Sequence, residues 1–348
     1  MRSDEVEALL DEELQTFYPD LNTDGIHIEC RPYSQRSTYP LIRCRILRDG
    51  TQIGPALIAK YTPVYPDNIE GSTEFEHLRL MESQLSGRSD LKVPHAVAFL
   101  ADRNLLITEE TGGIRFPRIL MRDCSMFTPS SRYERLRLHI RRCGDWLAEF
   151  HRATGSVEKQ AFGEDYRKEI ETKLSALTEF GFPAACARLV RETVDQLSSY
   201  GETHHTMYSG FHGDFGPQNI HIDGESVCVF DLSYNRKTPI YDDIGYFGVT
   251  LETMNPFPRH IFFLRSRAMK LQNDFLDGYF PRDGVTSHDR IMLDGYYLKA
   301  LLYRCHKQRR NVAGMSAPIR IYFDRFKVGR SYPRRIERQC ISIQDGIK

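Results

Sequence analysis

The sequence predicts an α+β fold in two lobes, with a small antiparallel sheet first and a larger, mainly helical lobe after it. Two observations predict this order. Short runs typical of β-strands fill the first hundred residues, and long amphipathic runs typical of helices dominate the rest. A chain of 348 residues is also long enough to form two hydrophobic cores.

The first lobe is predicted from three strand-like runs and one helix. The runs GIHIECRPY, YPLIRCRIL and GPALIAKYT are separated by polar turns such as RDGTQ. A helix is predicted over STEFEHLRLMESQL, with Ser72 or Thr73 as its N-cap. Its apolar face would contain Leu78, Met81 and Leu85.

A hairpin in HAVAFLADRNLLITEE completes an order of β-β-β-α-β-β. Gly112 and Gly113 follow this hairpin and predict a hinge, because paired glycines interrupt regular structure. The predicted lobes are therefore residues 1–111 and residues 112–348.

The second lobe is predicted mainly from helical periodicity. The run RLRLHIRRCGDWLAEFHRAT is typical of one long amphipathic helix, with a buried stripe of Leu138, Cys143, Trp146, Leu147 and Phe150. The run ESVCVFDLSY predicts one short buried strand. Further helices are predicted around residues 164–180 and 184–201, from DDIGYFGVTLE, and near residues 258–278 and 286–310.

Composition is that of an ordinary globular protein, with 41% apolar and 27% charged residues. No apolar run is long enough to span a bilayer, and MRSDEVEALLDEEL lacks the basic flank and apolar core of a secretory signal. The eight cysteines include no CxxC pair. This pattern predicts reduced, buried thiols in a cytoplasmic protein, with neither a disulfide framework nor a zinc site.

The net charge is zero, but it is unevenly distributed. Residues 1–24 contain eight acids and one base, whereas residues 298–340 contain twelve Lys or Arg and two acids. One reading is two solvated faces, and the other is that the C-terminal part binds something anionic. Both readings stay open at this point.

The loop SGFHGDFGPQNIHID, at residues 209–223, contains the residues best suited to chemistry. Glycine and proline place Asp214 on a loop rather than in a helix. A predicted hairpin then brings Asn219 and Asp231 to neighbouring strand ends. Their amide and carboxylate oxygens suit Mg²⁺ shared with substrate phosphates, and Asp214 could accept a proton from an attacking hydroxyl.

These motifs resemble the aminoglycoside phosphotransferase and choline kinase-like family of small-molecule kinases, which has a protein-kinase-like fold. The resemblance rests on HGDFGPQN, VFDLS and DDIG, in that order. It implies that Asp214 is catalytic and that Asn219 and Asp231 bind the metal. Asp243, with Asp242 as its rival, would support the catalytic loop. His212 would also be structural, hydrogen-bonding that loop.

The resemblance extends upstream to the nucleotide site. Lys60, in ALIAKYT, would bind the α- and β-phosphates, and Glu74 would hold that lysine, with Glu76 as the alternative. Adenine would contact the backbone at Glu109, Glu110 and Thr111. The first loop, RPYSQRSTYP, has no glycine, so Ser37 and Thr38, with Ser34, would reach the phosphates instead.

The implied activity is Mg²⁺-dependent transfer of the γ-phosphoryl group of ATP or GTP to a hydroxyl. Only eleven residues separate Asp231 from Asp243, and no APE motif follows, which favours a small-molecule acceptor over a protein. We expect a neutral or anionic sugar, glycan, membrane-linked intermediate or metabolite, and no nucleic-acid partner. The alternatives are an aminoglycoside- or choline-type kinase with a cationic acceptor, a non-catalytic kinase-like binding protein, and an atypical protein kinase.

Overall fold

A computed structural model of the chain describes most of its length. The described residues are 2–22, 24–34, 40–61, 70–125, 127–155, 157–232, 236–253, 265–281, 284–312, 316–317, 321, 327 and 330–348. The chain divides into two compact units. The first comprises Met1–Phe116 and Asn219–Asn235, and the second comprises Pro117–Gln218 and Arg236–Lys348.

The predicted α+β fold is confirmed, with an antiparallel sheet early in the chain and mainly helices later. The strands are β1 (Ile26–Ser34), β2 (Leu41–Arg48), β3 (Thr51–Gln52), β4 (Leu57–Tyr61), β5 (Leu91–Lys92), β6 (Ala96–Leu100), β7 (Leu105–Glu109), β8 (Ile114–Arg115), β9 (Val157–Gln160), β10 (His205–Gly210), β11 (Ile220–Asp223), β12 (Ser226–Val229) and β13 (Lys237–Pro239). The helices are α1 (Ser3–Phe17), α2 (Glu70–Gln84), α3 (Phe116–Asp123), α4 (Ser130–Thr154), α5 (Glu164–Thr178), α6 (Ala184–Thr203), α7 (Tyr241–Thr253), α8 (Arg265–Tyr279), α9 (Ser287–Val312) and α10 (Tyr332–Ile347).

The main sheet of the first unit has the strand order β1-β2-β4-β7-β6, with β3 paired to β2. All of its pairings are antiparallel. Residues of β2 alternate between buried and half-buried positions, as expected for strands with one face on a core. Lys60 lies on β4 opposite Leu41 and Leu106, so its strand is paired on both sides.

One expectation about cysteine is wrong. Cys30 and Cys44 are joined by a disulfide, because the register of β1 and β2 places them directly opposite each other, with Cα atoms 4.1 Å apart. This pairing depends on the register of a hairpin rather than on cysteine spacing in the sequence. The other six cysteines are free and buried, as the composition predicts.

Helix α1 covers the edge strand β1. Val6, Leu10 and Leu14 are buried in the core beneath the sheet. On the same helix, the Asp11 and Glu7 carboxylates accept hydrogen bonds from β1 backbone amides, at Ile28 (3.2 Å) and Cys30 (3.1 Å). The acidic, amphipathic start of the chain therefore protects a strand edge that would otherwise expose unpaired amides.

Helix α2 buries Leu78, Met81 and Leu85 as its periodicity predicts. Its start differs from the prediction. The helix begins at Glu70, so Ser72 and Thr73 lie within its first turn and neither is the N-cap. The sequence favoured them because Ser and Thr are typical N-cap residues, but the helix extends further towards its N-terminus.

A second sheet of the first unit joins strands that are far apart in sequence, in the order β5-β12-β11-β8. Strands β11 and β12 form the hairpin that the sequence predicted between Asn219 and Asp231. Gly113 precedes β8 with φ +101°, and a Cβ atom there would lie 2.6 Å from the carbonyl oxygen of Ile222. Only glycine fits this approach of two backbones.

The second unit is built from α4–α10, from α3 after its first residue, and from the three-stranded sheet β13-β10-β9. The long helix α4 forms as predicted, but Leu138 is 38% exposed and does not belong to the buried stripe. The stripe instead follows residues 136, 140, 143, 147 and 150, which keep the spacing of three and four that Leu138 breaks. Helix α10 was not predicted.

No helix among the described residues combines the length and apolar character that crossing a membrane requires.

Candidate active site

Lys60 is the centre of a buried ion-pair cluster in the first unit. Its Nζ atom lies 2.6 Å from Glu74 Oε2 and 2.6 Å from Asp231 Oδ1. Burial alone would lower the pKa of Lys60, but attraction to the two carboxylates outweighs burial and raises that pKa above its ordinary value. Lys60 is therefore a permanent cation, suited to binding phosphate oxygens.

Helix α2 contacts this cluster at two points. Glu74 supplies the carboxylate to Lys60 and is itself buried, whereas Glu76 is exposed. One turn later, Nδ1 of His77 donates a hydrogen bond to the carbonyl oxygen of Leu232, at 2.9 Å. The same helix face thus holds both the lysine and the residue that follows Asp231.

Asn219 and Asp231 lie at one end of the β11–β12 hairpin. The amide of Phe230 donates a 3.0 Å hydrogen bond to the carbonyl of Asn219, which brings the two chain ends together. Asp231 has φ +66°, a left-handed conformation that Asp and Asn adopt more readily than most residues. Its side chain is 41% exposed, so part of the carboxylate is accessible while another part binds Lys60.

The donor set at this hairpin end fits Mg²⁺. One amide oxygen and one carboxylate are hard oxygen ligands, and Mg²⁺ usually takes only one or two protein carboxylates and completes its shell with water and phosphate. Across the described ranges, no cluster of three or more His, Cys, Asp or Glu residues could hold a metal alone.

The segment after β7 offers one available backbone donor. The amides of Glu109 and Glu110 are used within the fold, donating to the carbonyls of His95 (2.9 Å) and Ala56 (2.6 Å). The Glu110 side chain binds Arg43. In the described part of the chain, the amide of Thr111 has no such partner. Ser37 and Thr38, predicted to contact phosphates, lie outside the described residues.

Asp214 lies in the second unit, on the loop between β10 and β11. Its carboxylate accepts hydrogen bonds from the Tyr246 hydroxyl and from Gln218 Nε2, the latter at 3.0 Å. Lys307 Nζ lies 3.9 Å from Asp214 Oδ1. Burial, and then the negative charge of Asp214, raise the pKa of Tyr246, so this phenol stays protonated and donates. Asp214 is 31% exposed, which leaves it accessible to a ligand.

Asp243, on α7, holds the loop that carries Asp214. Its two oxygens accept hydrogen bonds from the backbone amides of His212 and Gly213, both at 2.9 Å. Gly213 has φ +79°, a conformation that a side chain would strain. His151 lies 3.4 Å from Asp243 and 2.7 Å from the Tyr279 hydroxyl, which extends the network into the helical core.

The neighbouring Asp242 has a different partner. It pairs with Lys299 at 2.7 Å, and its pKa is raised by burial against the opposing attraction of that lysine. The two adjacent aspartates therefore point to different parts of the unit, and Asp243 is the one that contacts the loop.

The His212 side chain differs from the expectation that it hydrogen-bonds the loop. Within the described residues, neither ring nitrogen has a hydrogen-bond partner, and the ring is fully buried. The ring packs edge-on against Trp146, Phe150 and Phe215, at centroid distances of 5.3–6.3 Å. Its contribution to the loop is thus aromatic packing, with the backbone amide making the polar contact.

Four residues around these groups were not predicted: His77, Gln218, Tyr246 and Lys307. Three of them had a local signal, because each is three or four residues from a predicted site residue (Glu74, Asp214 and Asp243). Lys307 had none, since it reaches Asp214 from a helix 93 positions later in the chain.

No protein-family model matches the chain, and no curated protein matches it. Solved structures do resemble it. A choline/ethanolamine kinase family protein from Mesorhizobium loti has a TM-score of 0.55 at 16% identity, over 98% of this chain and 94% of that one. A choline kinase from Cryptosporidium parvum has a TM-score of 0.55 at 13% identity, over 99% and 97%.

A glucosamine kinase in complex with glucosamine, ADP and inorganic phosphate has a TM-score of 0.56 at 14% identity, over 99% of this chain and 84% of that one. These identities are low, so the likeness concerns the fold. The chain therefore has the protein-kinase-like fold of the choline kinase and aminoglycoside phosphotransferase type, as its motifs predicted.

Proposed function

We propose that this protein is a Mg²⁺-dependent small-molecule kinase that transfers the γ-phosphoryl group of ATP or GTP to a hydroxyl. In this reaction the acceptor oxygen forms a bond to the γ-phosphorus, and the bond from that phosphorus to the β–γ bridging oxygen breaks. The hydroxyl proton passes to the Asp214 carboxylate, and the nucleoside diphosphate leaves with the electron pair.

We assign binding of the nucleotide to residues of the first unit. Lys60 orients the α- and β-phosphates, and Glu74 keeps its ammonium in place. The amide of Thr111, within the predicted Glu109–Thr111 segment, donates to adenine, and Ser37 and Thr38 contact phosphate. Asn219 and Asp231 would hold Mg²⁺, which would supply positive charge to the phosphate oxygens when bound.

The acceptor hydroxyl is assigned to Asp214. Tyr246 and Gln218 fix one oxygen of this carboxylate by donating to it, and Asp243 fixes the backbone before it. A carboxylate held this way loses little orientational freedom when it accepts a proton.

The observation that carries the proposal is the Lys60 cluster. A strand lysine that binds a helix glutamate and a hairpin aspartate at 2.6 Å each is a costly arrangement, since the lysine and the glutamate are largely removed from water. Phosphate binding explains why such a cluster would be retained. The intact cluster also favours a catalyst over a non-catalytic binding protein.

A small-molecule acceptor is supported by the short link between Asp231 and Asp243 and by the solved neighbours, whose names are choline/ethanolamine, choline and glucosamine kinases. Those names would fit the alternative of a cationic acceptor. The basic residues of α9 favour a neutral or anionic sugar, glycan or metabolite instead.

The test is a metabolite-library screen with ATP or GTP and MgCl₂, in which mass spectrometry detects acceptors that gain one phosphoryl group. We expect Asp214→Asn to lose about 10²- to 10⁴-fold in turnover, the usual contribution of a general base. Its affinity for ADP, measured by calorimetry, should stay close to that of the wild type.

Asp223→Asn is the matched control, because Asp223 is an exposed aspartate at the end of β11, next to the turn of the β11–β12 hairpin. Full turnover by Asp214→Asn would refute the assigned base. Wild-type protein that binds nucleotide but phosphorylates nothing would favour a binding module, and label appearing on protein would favour a protein kinase.

A further inference from the structure

Helices α5 and α9 together present a row of positively charged side chains. The extent to which carboxylates pair with them changes along the row. At one end, Lys299 on α9 is fully neutralised: it lies 2.7 Å from Glu169 on α5 and 2.7 Å from Asp242. This lysine is 17% exposed and has a structural role in holding α5, α7 and α9 together.

One turn further along α9 the pattern is different. Tyr303 is 37% exposed, and two lysines lie near its ring: Lys173 of α5, with Nζ 5.8 Å from the centroid, and Lys307 of α9, at 5.6 Å. Both distances are within the range of cation–π contact. An exposed ring flanked by two ammonium groups is a surface suited to a flat or ring-shaped anion.

This surface lies beside Asp214. Lys307 Nζ is 3.9 Å from Asp214 Oδ1, a loose pair in which the lysine is 39% exposed. Tyr303 also contacts Tyr246, the tyrosine that donates to Asp214, with centroids 6.0 Å apart. A molecule on Tyr303 could therefore place another of its groups at Asp214.

The positive charge continues beyond Tyr303. Burial, and then the charges of Lys173 and Arg310, lower the pKa of His306, so this imidazole is neutral at pH 7 and the positive charge here comes from the lysine and the arginine. Over the described ranges, no carboxylate forms an ion pair with Lys173 or Arg310, in contrast to Lys299. Unneutralised cations next to a carboxylate base attract anionic ligands.

From this geometry we infer that the acceptor carries a negative charge, a phosphate or carboxylate, which Lys307 and Lys173 bind around the ring of Tyr303 while a hydroxyl of the same molecule contacts Asp214. The inference rests on the proposed kinase function and sharpens its acceptor class. It predicts that the protein binds anionic acceptors more tightly than the cationic acceptors of an aminoglycoside- or choline-type kinase.

The γ-phosphate of the nucleotide is a second anionic group that Lys307 could bind. The experiment must therefore distinguish binding of this phosphate from binding of an anionic acceptor. The protein is saturated with AMP-PNP and MgCl₂, which supplies a γ-phosphate, and is then titrated by calorimetry. The probes share one ring: glucose 1-phosphate, glucuronate, glucose and glucosamine. Since binding requires no turnover, failure of the kinase assignment would be visible separately in the metabolite-library screen.

We expect the two anions to bind at least tenfold more tightly than glucose and glucosamine. Lys307→Gln should weaken anion binding by about 10- to 100-fold, the contribution of one charged hydrogen bond, and Lys307→Arg should restore most of it. Lys159→Gln is the matched control, because Lys159 also lies over a tyrosine ring, 5.2 Å from the centroid of Tyr208, but on β9.

Three results would overturn the inference. The first is a panel in which no anion binds more tightly than its neutral and cationic counterparts. The second is a Lys307→Gln variant that binds anions as the wild type does. The third is a Lys307→Gln variant whose affinity for AMP-PNP falls while its affinity for ADP and the anions is unchanged, since Lys307 would then serve the γ-phosphate.

Discussion

Lys60 and Lys307 each lie near a predicted site carboxylate, but they differ in burial and in their distance from it. Lys60 is 16% exposed and contacts two carboxylates at 2.6 Å. Lys307 is 39% exposed and lies 3.9 Å from one carboxylate, Asp214. The first is a closed cluster formed within the fold, and the second is an open pair whose ammonium group is partly exposed to solvent.

The difference indicates which lysine is organised before a ligand binds. A buried charge must be paired, so Lys60 is held in position by the fold itself. A half-exposed charge keeps its hydration and can exchange water for a ligand at small cost. We therefore assign a pre-set phosphate contact to Lys60 and selection of the acceptor to Lys307.

The largest expected effect comes from removing the buried lysine. Lys60→Met leaves the buried Glu74 carboxylate without its cation and should lower the free energy of unfolding by about 3–5 kcal/mol. Lys307→Met should change it by no more than about 0.5 kcal/mol. Urea denaturation measures both, and equal losses would remove the distinction between the two lysines.

Removing both charges of the buried pair sharpens this comparison. The double variant Lys60→Met/Glu74→Met should recover part of the stability that Lys60→Met loses, because the buried Glu74 carboxylate is gone and the remaining partner, Asp231, is 41% exposed. A double variant no more stable than the single one would show that packing, and not the isolated charge, dominates the loss.

The next effect concerns the loop that carries Asp214. Asp243→Ala leaves the amides of His212 and Gly213 without their acceptor, and should lower the free energy of unfolding by about 2–3 kcal/mol. Asp243→Asn keeps one acceptor oxygen and should lose less. Hydrogen exchange of the peptide spanning residues 210–216 should accelerate in the order wild type, Asn, Ala.

A smaller effect is expected at Asp231, whose carboxylate is 41% exposed. Asp231→Asn removes one charge near Lys60 but tolerates φ +66°, so we expect a loss of about 1 kcal/mol. Asp231→Ala should lose about 1–2 kcal/mol more, because alanine is strained in this conformation. Thermal unfolding of the two variants would contradict this account if alanine were the more stable.

Apart from Lys307→Met, the smallest effects are those of Asp231→Asn and of the change at Tyr246. Tyr246→Phe removes the hydroxyl that donates to Asp214 but keeps the ring that packs against Tyr303, and should lower the free energy of unfolding by about 1 kcal/mol. Its ADP affinity should match the wild type. A loss as large as that of Lys60→Met would mean that the Asp214 environment is as closed as the Lys60 cluster.

Much of the fold could be predicted from local sequence patterns. Periodicity within short windows predicted strands β1, β2, β4, β6 and β7, helix α2 and the hairpin after Asn219, but it did not predict α1 or the short strands β3, β5 and β8. Helix α10 was missed although Tyr332, Ile336, Cys340 and Ile343 have helical spacing, because the surrounding basic residues obscured that stripe.

Contacts between distant segments could not be predicted in the same way. The Cys30–Cys44 disulfide depends on strand register, and the aromatic enclosure of His212 depends on how α4 packs against the loop. Lys307 reaches Asp214 only because α9 lies beside α7. Residue type and spacing identify a charged side chain, but tertiary packing determines which oppositely charged side chain it pairs with.

The sheet order β5-β12-β11-β8 has a consequence for synthesis of the chain on the ribosome. Lys92 pairs with Cys228, and Lys60 binds Asp231, so the first unit needs residues made 136 and 171 positions later. At about 5–20 residues per second, the early strands wait roughly ten seconds or more for their partners. In a nascent chain that stalls after residue 116, the sheet is therefore incomplete and Lys60 lacks its partner Asp231. We expect chaperones to bind such a chain until residue 235 has emerged.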